Sequence, residues 1–102
     1  MPQRHPVTSL VAIPPGTGQT FTVAGQRIAC FNVGGQIHAM DDVCPHAGAS
    51  LAEGKLTGCV VTCPWHAIDF DVTNGSPVRQ RGMEPQKTFP VFINGDQIEV
   101  EA

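Results

Sequence analysis

The sequence predicts an all-β fold, a small β-sandwich or barrel, and three observations support it. The 102 residues include 11 glycines and 9 prolines, and the longest stretch free of both is ten residues, 65–74. That stretch is shorter than an average helix of about 11 to 12 residues. Apolar and polar residues alternate in 20–23 and 97–101, as in half-buried strands. Tight-turn dipeptides lie between several short apolar runs.

Three turns divide the apolar runs into predicted hairpins, at Gly25, Gly34-Gly35 and Asn94-Gly95. Such residues adopt the positive φ that two-residue hairpin turns require. The runs that they join are 20–23, 28–33, 37–40, 89–93 and 98–100. Because Pro90 has no N–H, its strand is expected at a sheet edge or at a bulge.

Length and charge indicate one domain over residues 1–102 and exclude several classes of partner. Six Lys and Arg against nine Asp and Glu give a net charge of −3, whereas nucleic acids and anionic membranes select basic surfaces. No apolar run approaches the length of a membrane span, about 18 residues, and prolines interrupt the first twenty residues. We therefore expect a cytoplasmic protein with no signal peptide and with protein partners.

Cysteine and histidine occur in two short runs, Cys44-Pro45-His46 and Cys63-Pro64-Trp65-His66. A disulfide framework would leave the histidines unexplained, and disulfides are rare in the cytoplasm. Two thiols and two imidazoles predict a metal site. Zinc fingers usually place a cysteine pair before a histidine pair, whereas here each run has one of each. This order favours a [2Fe–2S] cluster, with both cysteines on one iron and both histidines on the other. A redox-inert zinc module stays open as an alternative.

The segment from about residue 40 to 77 resembles the Rieske [2Fe–2S] proteins, especially the small soluble Rieske ferredoxins. The resemblance is carried by 44–51, Glu53-Gly54, Gly58 and 63–71. It implies three antiparallel sheets, with a cluster-binding subdomain of about 42–87 inserted among them. It also implies one Rieske-type [2Fe–2S] cluster.

The resemblance assigns the four ligands and a function. Cys44 and Cys63 would hold the inner iron, and His46 and His66 the outer one. The protein would be a one-electron carrier from an NAD(P)H-dependent flavin reductase to a terminal oxygenase, and not itself an enzyme. The small subunits of assimilatory nitrite reductases resemble the same motifs, so a fixed subunit is the alternative.

Four further residues are expected near the cluster. The amides of Gly48 and Ala67 are candidates to donate to the sulfides. Trp65 is expected to form an apolar docking spot, with shielding of the cluster as the alternative. Pro85 belongs to 82–85, the candidate third loop over the cluster in this family. Asp41, Asp42 and Glu53 are expected to form an acidic rim for docking; the alternative is an ordinary solvated surface.

The remaining cysteines and histidines are not expected to bind the cluster. Cys30 lies in an apolar run and is predicted to be a buried thiol. Cys59 is placed in a strand before the second run, His38 on the solvent face of a strand, and His5 in a mobile N-terminus.

A low reduction potential is expected from the residues beside the ligands. Rieske proteins of quinol-oxidising chains carry Ser and Tyr hydroxyls that donate to the cluster, and also a loop disulfide. Here the corresponding positions are Ala49, Trp65, Ile68 and Phe70. Without these donors we expect the low end of the Rieske range, about −150 mV.

Overall fold

Ten short strands form the framework of this computed structural model, which describes residues 2–44, 48–64, 68–79 and 83–102. The strands are β1 (Arg4–Ser9), β2 (Gly18–Val23), β3 (Gln26–Val33), β4 (Gln36–Asp41), β5 (Lys55–Thr57), β6 (Val60–Thr62), β7 (Asp69–Asp71), β8 (Thr88–Phe89), β9 (Val91–Asn94) and β10 (Gln97–Glu101). Leu10–Ala12 and Leu51–Glu53 are single 3-10 turns. Three antiparallel sheets result, in the orders β1-β10-β9, β2-β3-β4-β8 and β5-β6-β7. The predicted all-β fold of three small sheets is confirmed.

Two hairpins of the four-stranded sheet follow the prediction. Ala24 and Gly25 turn β2 into β3 with φ of 50° and 77°, and Gly34-Gly35 turns β3 into β4 with φ of 58° and 96°. Positive φ at both turn positions is the condition for a two-residue turn that matches the twist of the strands.

The predicted strand 89–93 is two strands, and this prediction was wrong in one respect. β8 pairs with β4 in the four-stranded sheet, whereas β9 pairs with β10 in another sheet. Pro90 lies between them and has no N–H for either ladder, so the chain crosses from one sheet to the next there. The hairpin turn that follows consists of Gly95-Asp96, because Asn94 still pairs with Gln97.

Strand β3 separates two buried cores. Ile28, Ala29, Cys30 and Phe31 are each fully buried, and successive side chains of a strand point to opposite faces. Ile28 and Cys30 join the core formed with β10 and Phe89, which also contains Ile13, Val23, Ile37, Ala39, Ile98 and Val100. Ala29 and Phe31 join the other core, with Met40, Cys44, Ala49, Leu51, Val61, Cys63, Ile68, Phe70 and Val72. We call this second one the cysteine core.

Two smaller expectations need correction. His5 was expected in a mobile terminus, but it lies in β1 and pairs with Val100. Cys59 was expected in a strand, but Gly58 and Cys59 form the turn between β5 and β6. Within the described ranges, no helix is long and apolar enough to cross a membrane.

Candidate metal centre

The first cysteine loop, residues 44–49, follows β4. Val43 and Ser50 form an isolated antiparallel bridge at its base. The N–H of Cys44 donates to the Ala49 carbonyl at 2.9 Å, and the N–H of Gly48 donates to the Cys44 carbonyl at 2.9 Å. Gly48 has a φ of 71°, a conformation suited to glycine. Its N–H is engaged inside the loop rather than open to a sulfide as we expected.

The second cysteine loop, residues 63–68, connects β6 to β7 and is closed in the same way. The N–H of Cys63 donates to the Ile68 carbonyl at 2.8 Å. In both loops the cysteine N–H therefore bonds the carbonyl five residues later in the chain. The two cysteines therefore occupy equivalent positions at the bases of their loops.

Both cysteines lie in the cysteine core, and each is 1% exposed. Two buried thiols in one apolar cluster are suitable soft ligands for iron. Their placement fits the thiolate half of a [2Fe–2S] site. His46, Trp65, His66 and Ala67 lie outside the described residues. In the described part alone, no group of three or more His, Cys, Asp or Glu side chains is placed to share a metal.

The segment after residue 82 contacts both the cysteine core and the residues just before the first loop. Met83 packs against the cysteine core. Gln86, which is buried, donates through its side-chain Nε2 to the Val43 carbonyl at 2.8 Å and to the Asp41 carbonyl at 3.2 Å. Pro85 is exposed beside them, and Gly82 lies outside the described residues. Sequence reasoning missed Gln86, because nothing in its neighbourhood marks it as buried.

Asp42 is not part of an acidic rim, and that expectation was wrong. It is fully buried. Its Oδ2 accepts a hydrogen bond from the Arg27 guanidinium at 2.9 Å, and its Oδ1 accepts from the Ser50 hydroxyl and the Ala52 N–H, each at 2.9 Å. Of the expected rim, only Glu53 is exposed.

A second buried carboxylate, Asp69, lies at the base of the second loop. Its Oδ1 accepts from the Thr62 hydroxyl at 2.7 Å, and its Oδ2 forms an ion pair with Arg79. Sequence reasoning did not assign this residue a role. Its position between the apolar residues Ile68 and Phe70 was the available signal, because an acidic residue in a buried run needs a partner.

The other thiols are separate from this site. Cys30 faces the opposite core, and burial raises the pKa of its thiol from 9.0 to about 12. This confirms the prediction of a buried thiol. Cys59 is half-buried in the β5–β6 turn, and His38 is half-buried in β4.

Comparison with known proteins gives the family. The model of the Rieske [2Fe–2S] domain matches residues 3–90. The chain belongs to the Rieske family. It therefore carries one Rieske-type [2Fe–2S] cluster, and the zinc alternative is set aside.

Relatives of this Rieske chain include ferredoxins. It is 34% identical over 93 residues, 91% of this chain and 89% of the relative, to the ferredoxin component of the naphthalene 1,2-dioxygenase system of Pseudomonas aeruginosa. A chain in the complex of reduced oxygenase and oxidized ferredoxin in carbazole 1,9a-dioxygenase has a TM-score of 0.88 and 33% identity, over 95% of this chain and 91% of that one. A structure named as a nitrite reductase small subunit, from Mycobacterium tuberculosis, has a TM-score of 0.90 over 100% and 96% of the chains. Its identity is 21%, so that likeness shows the fold alone.

Proposed function

We propose that this Rieske protein is a ferredoxin that carries single electrons from an NAD(P)H-dependent flavin reductase to a terminal oxygenase. The observation that carries the proposal is the pair of buried cysteines, on equivalently closed loops, in a chain whose matched relatives include dioxygenase ferredoxins. The proposed cluster-binding subdomain, about 42–87, contains both loops and the sheet β5-β6-β7. We place the protein in the cytoplasm, where such a reductase obtains its nicotinamide.

The proposed ligands are Cys44 and Cys63 on the inner iron and His46 and His66 on the outer iron. A cluster held in this way accepts and returns one electron. Neutral imidazoles in place of two thiolates make it less negative, so it is reduced more easily than an all-cysteine cluster. His46→Cys or His66→Cys should therefore lower the midpoint potential. Cys59→Ser is the matched control, because it changes a thiol of the same subdomain that the proposal leaves uncoordinated.

We also propose that the protein is not itself an enzyme. A Rieske oxygenase needs a second, mononuclear iron, typically held by two histidines and a carboxylate. The two histidines outside the ligand runs lie in different sheets, His5 in β1 and His38 in β4. This separation supports a carrier that depends on partner proteins for chemistry.

Reconstitution tests the function. The purified holoprotein is combined with a flavin reductase, NADH and the oxygenase of an aromatic-ring dioxygenase, and product formation is measured against ferredoxin concentration. We expect saturable turnover that disappears when the ferredoxin is omitted. Because transient redox contacts are small, below about 1,200 Å², and sensitive to salt, we expect this turnover to fall as the salt concentration rises. Reduction by the reductase without onward transfer to any oxygenase, together with stable co-purification with another subunit, would favour the nitrite reductase type of assembly.

A further inference from the structure

The base of each cysteine loop contains an acidic side chain, a hydroxyl and an arginine. At the first loop these are Asp42, Ser50 and Arg27, which we call the first triad. The Asp42 carboxylate accepts the Ser50 hydroxyl across the loop at 2.9 Å and the Arg27 guanidinium at 2.9 Å. Arg27 belongs to β3, so the first triad joins the loop to the central strand.

The second triad consists of Asp69, Thr62 and Arg79. Asp69 accepts the Thr62 hydroxyl at 2.7 Å and pairs with Arg79. The chain order is reversed relative to the first triad: here the hydroxyl precedes the loop and the carboxylate follows it. The same three groups thus close both loops, although their order along the chain differs.

The burial of the two carboxylates makes their charge important. The Asp42 side chain is 0% exposed and that of Asp69 is 7% exposed, whereas the arginine side chains are 45% and 67% exposed. A buried carboxylate is tolerated only when it is paired and hydrogen-bonded. Asp42 is two residues from the proposed ligand Cys44, and Asp69 accepts a hydrogen bond from Thr62, the residue immediately before Cys63. An unpaired negative charge here would oppose the addition of an electron, because little water screens it.

We propose that Asp42 and Asp69 are positioning residues that hold the cysteine loops closed, and that Arg27 and Arg79 neutralise them so that they do not lower the reduction potential. The inference rests on the proposed cysteine ligands. Arg27 has the larger effect, because its carboxylate is fully buried and it is itself less exposed than Arg79. Each arginine acts through its carboxylate and not by contact with the cluster.

The test compares three variants of the holoprotein by redox titration, with iron and sulfide content and the visible spectrum recorded for each. Arg27→Met should lower the midpoint potential while the spectrum stays that of a Rieske cluster. Arg27→Met/Asp42→Asn should return it towards the wild-type value, because asparagine keeps an oxygen for Ser50 and Ala52 but has no charge. Arg4→Met is the matched control, since it removes the same charge from β1, where Arg4 stacks on Phe92. Its potential should not change.

Several outcomes would overturn the inference. It fails if Arg27→Met has the wild-type potential, if the double variant stays as low as Arg27→Met, or if Arg4→Met shifts as far. If Arg27→Met does not assemble a cluster, Arg79→Met at the more exposed pair decides: a decrease in its midpoint potential relative to wild type supports the inference, and no decrease rejects it. Wild-type protein without a stoichiometric [2Fe–2S] cluster would instead reject the proposed function.

Discussion

Substitution of Gly54 by alanine should disturb the second cysteine loop from a distance. Gly54 has an ordinary φ of −75°, so its backbone conformation does not require glycine. The lack of space does require glycine, because an added Cβ would lie 2.1 Å from the Thr62 carbonyl oxygen and 3.0 Å from its carbon. That carbonyl carbon is bonded to the nitrogen of Cys63, so the collision acts directly on a proposed ligand.

The distances of this close approach determine how much Gly54→Ala destabilises the fold. Ordinary contacts of a Cβ begin at 3.4 Å, so the two backbones must separate by about 1.3 Å. We expect destabilisation at the upper end of overpacking costs, about 3 kcal/mol, which lowers the midpoint of thermal unfolding by about 12 to 24 °C in a domain of this size. Gly58, in the turn of the same hairpin, is the matched control. It has a φ of 60° with nothing within 4 Å of an added Cβ, so alanine there costs only about 1 to 2 kcal/mol of backbone strain.

The assay measures iron and sulfide per chain after identical expression, and then the temperature at which half of the visible absorbance is lost. Gly54→Ala should carry less cluster and bleach at a lower temperature than Gly58→Ala, which should load normally. Equal cluster content and equal bleaching temperatures for the two variants would refute the argument from close approach.

Three further predictions concern the thiol, the two cores and the potential. Because the pKa of Cys30 is raised from 9.0 to about 12, its proton is retained in the folded state and lost from the unfolded state between these values. The free energy of unfolding should thus fall as pH rises through this range, by at most about 1.4 kcal/mol per pH unit. Urea titrations at several pH values should show this fall for the wild type but not for Cys30→Ala. The same pH dependence in both proteins would contradict the prediction. Leu51→Ala and Ile98→Ala each remove a fully buried side chain and should each cost about 2 to 5 kcal/mol. Only Leu51 lies in the cysteine core, so only its variant should release iron faster to a chelator, and equal release rates would count against two separate cores. Finally, Ile68 and Phe70 are buried and have no hydroxyl to donate, so redox titration should give a midpoint near about −150 mV; a value above zero would show that other donors stabilise the reduced cluster.

Local patterns predicted the strands and turns well, because hairpin formation depends on neighbouring residues. Gly25 and Gly34-Gly35 supply the positive φ that the turns need, and the alternating runs became β2 and β10. Local reasoning also placed Pro90 at a sheet edge, and β8 and β9 are both edge strands. It failed to predict that the chain changes sheets at Pro90. Which sheet a strand joins is decided by distant partners, here β4 for β8 and β10 for β9.

The environment of the acidic residues was also beyond local reasoning. Asp41 and Asp42 are adjacent and chemically identical, yet only Asp42 is fully buried and paired. Its partner Arg27 is fifteen residues away along the chain, and no pattern in either segment predicts this ion pair.

The amino-acid sequence alone determined the β class, the tight turns, the Cys/His pattern of the proposed ligands and the burial of Cys30, since each follows from nearby residues or from the chemistry of a side chain. Only the tertiary structure decided that Cys44 and Cys63 share one core, that β3 divides this core from the other, and that buried carboxylates with arginine partners close both loops. The physical reason is that burial and charge pairing depend on which segments pack together, and those segments are far apart along the chain.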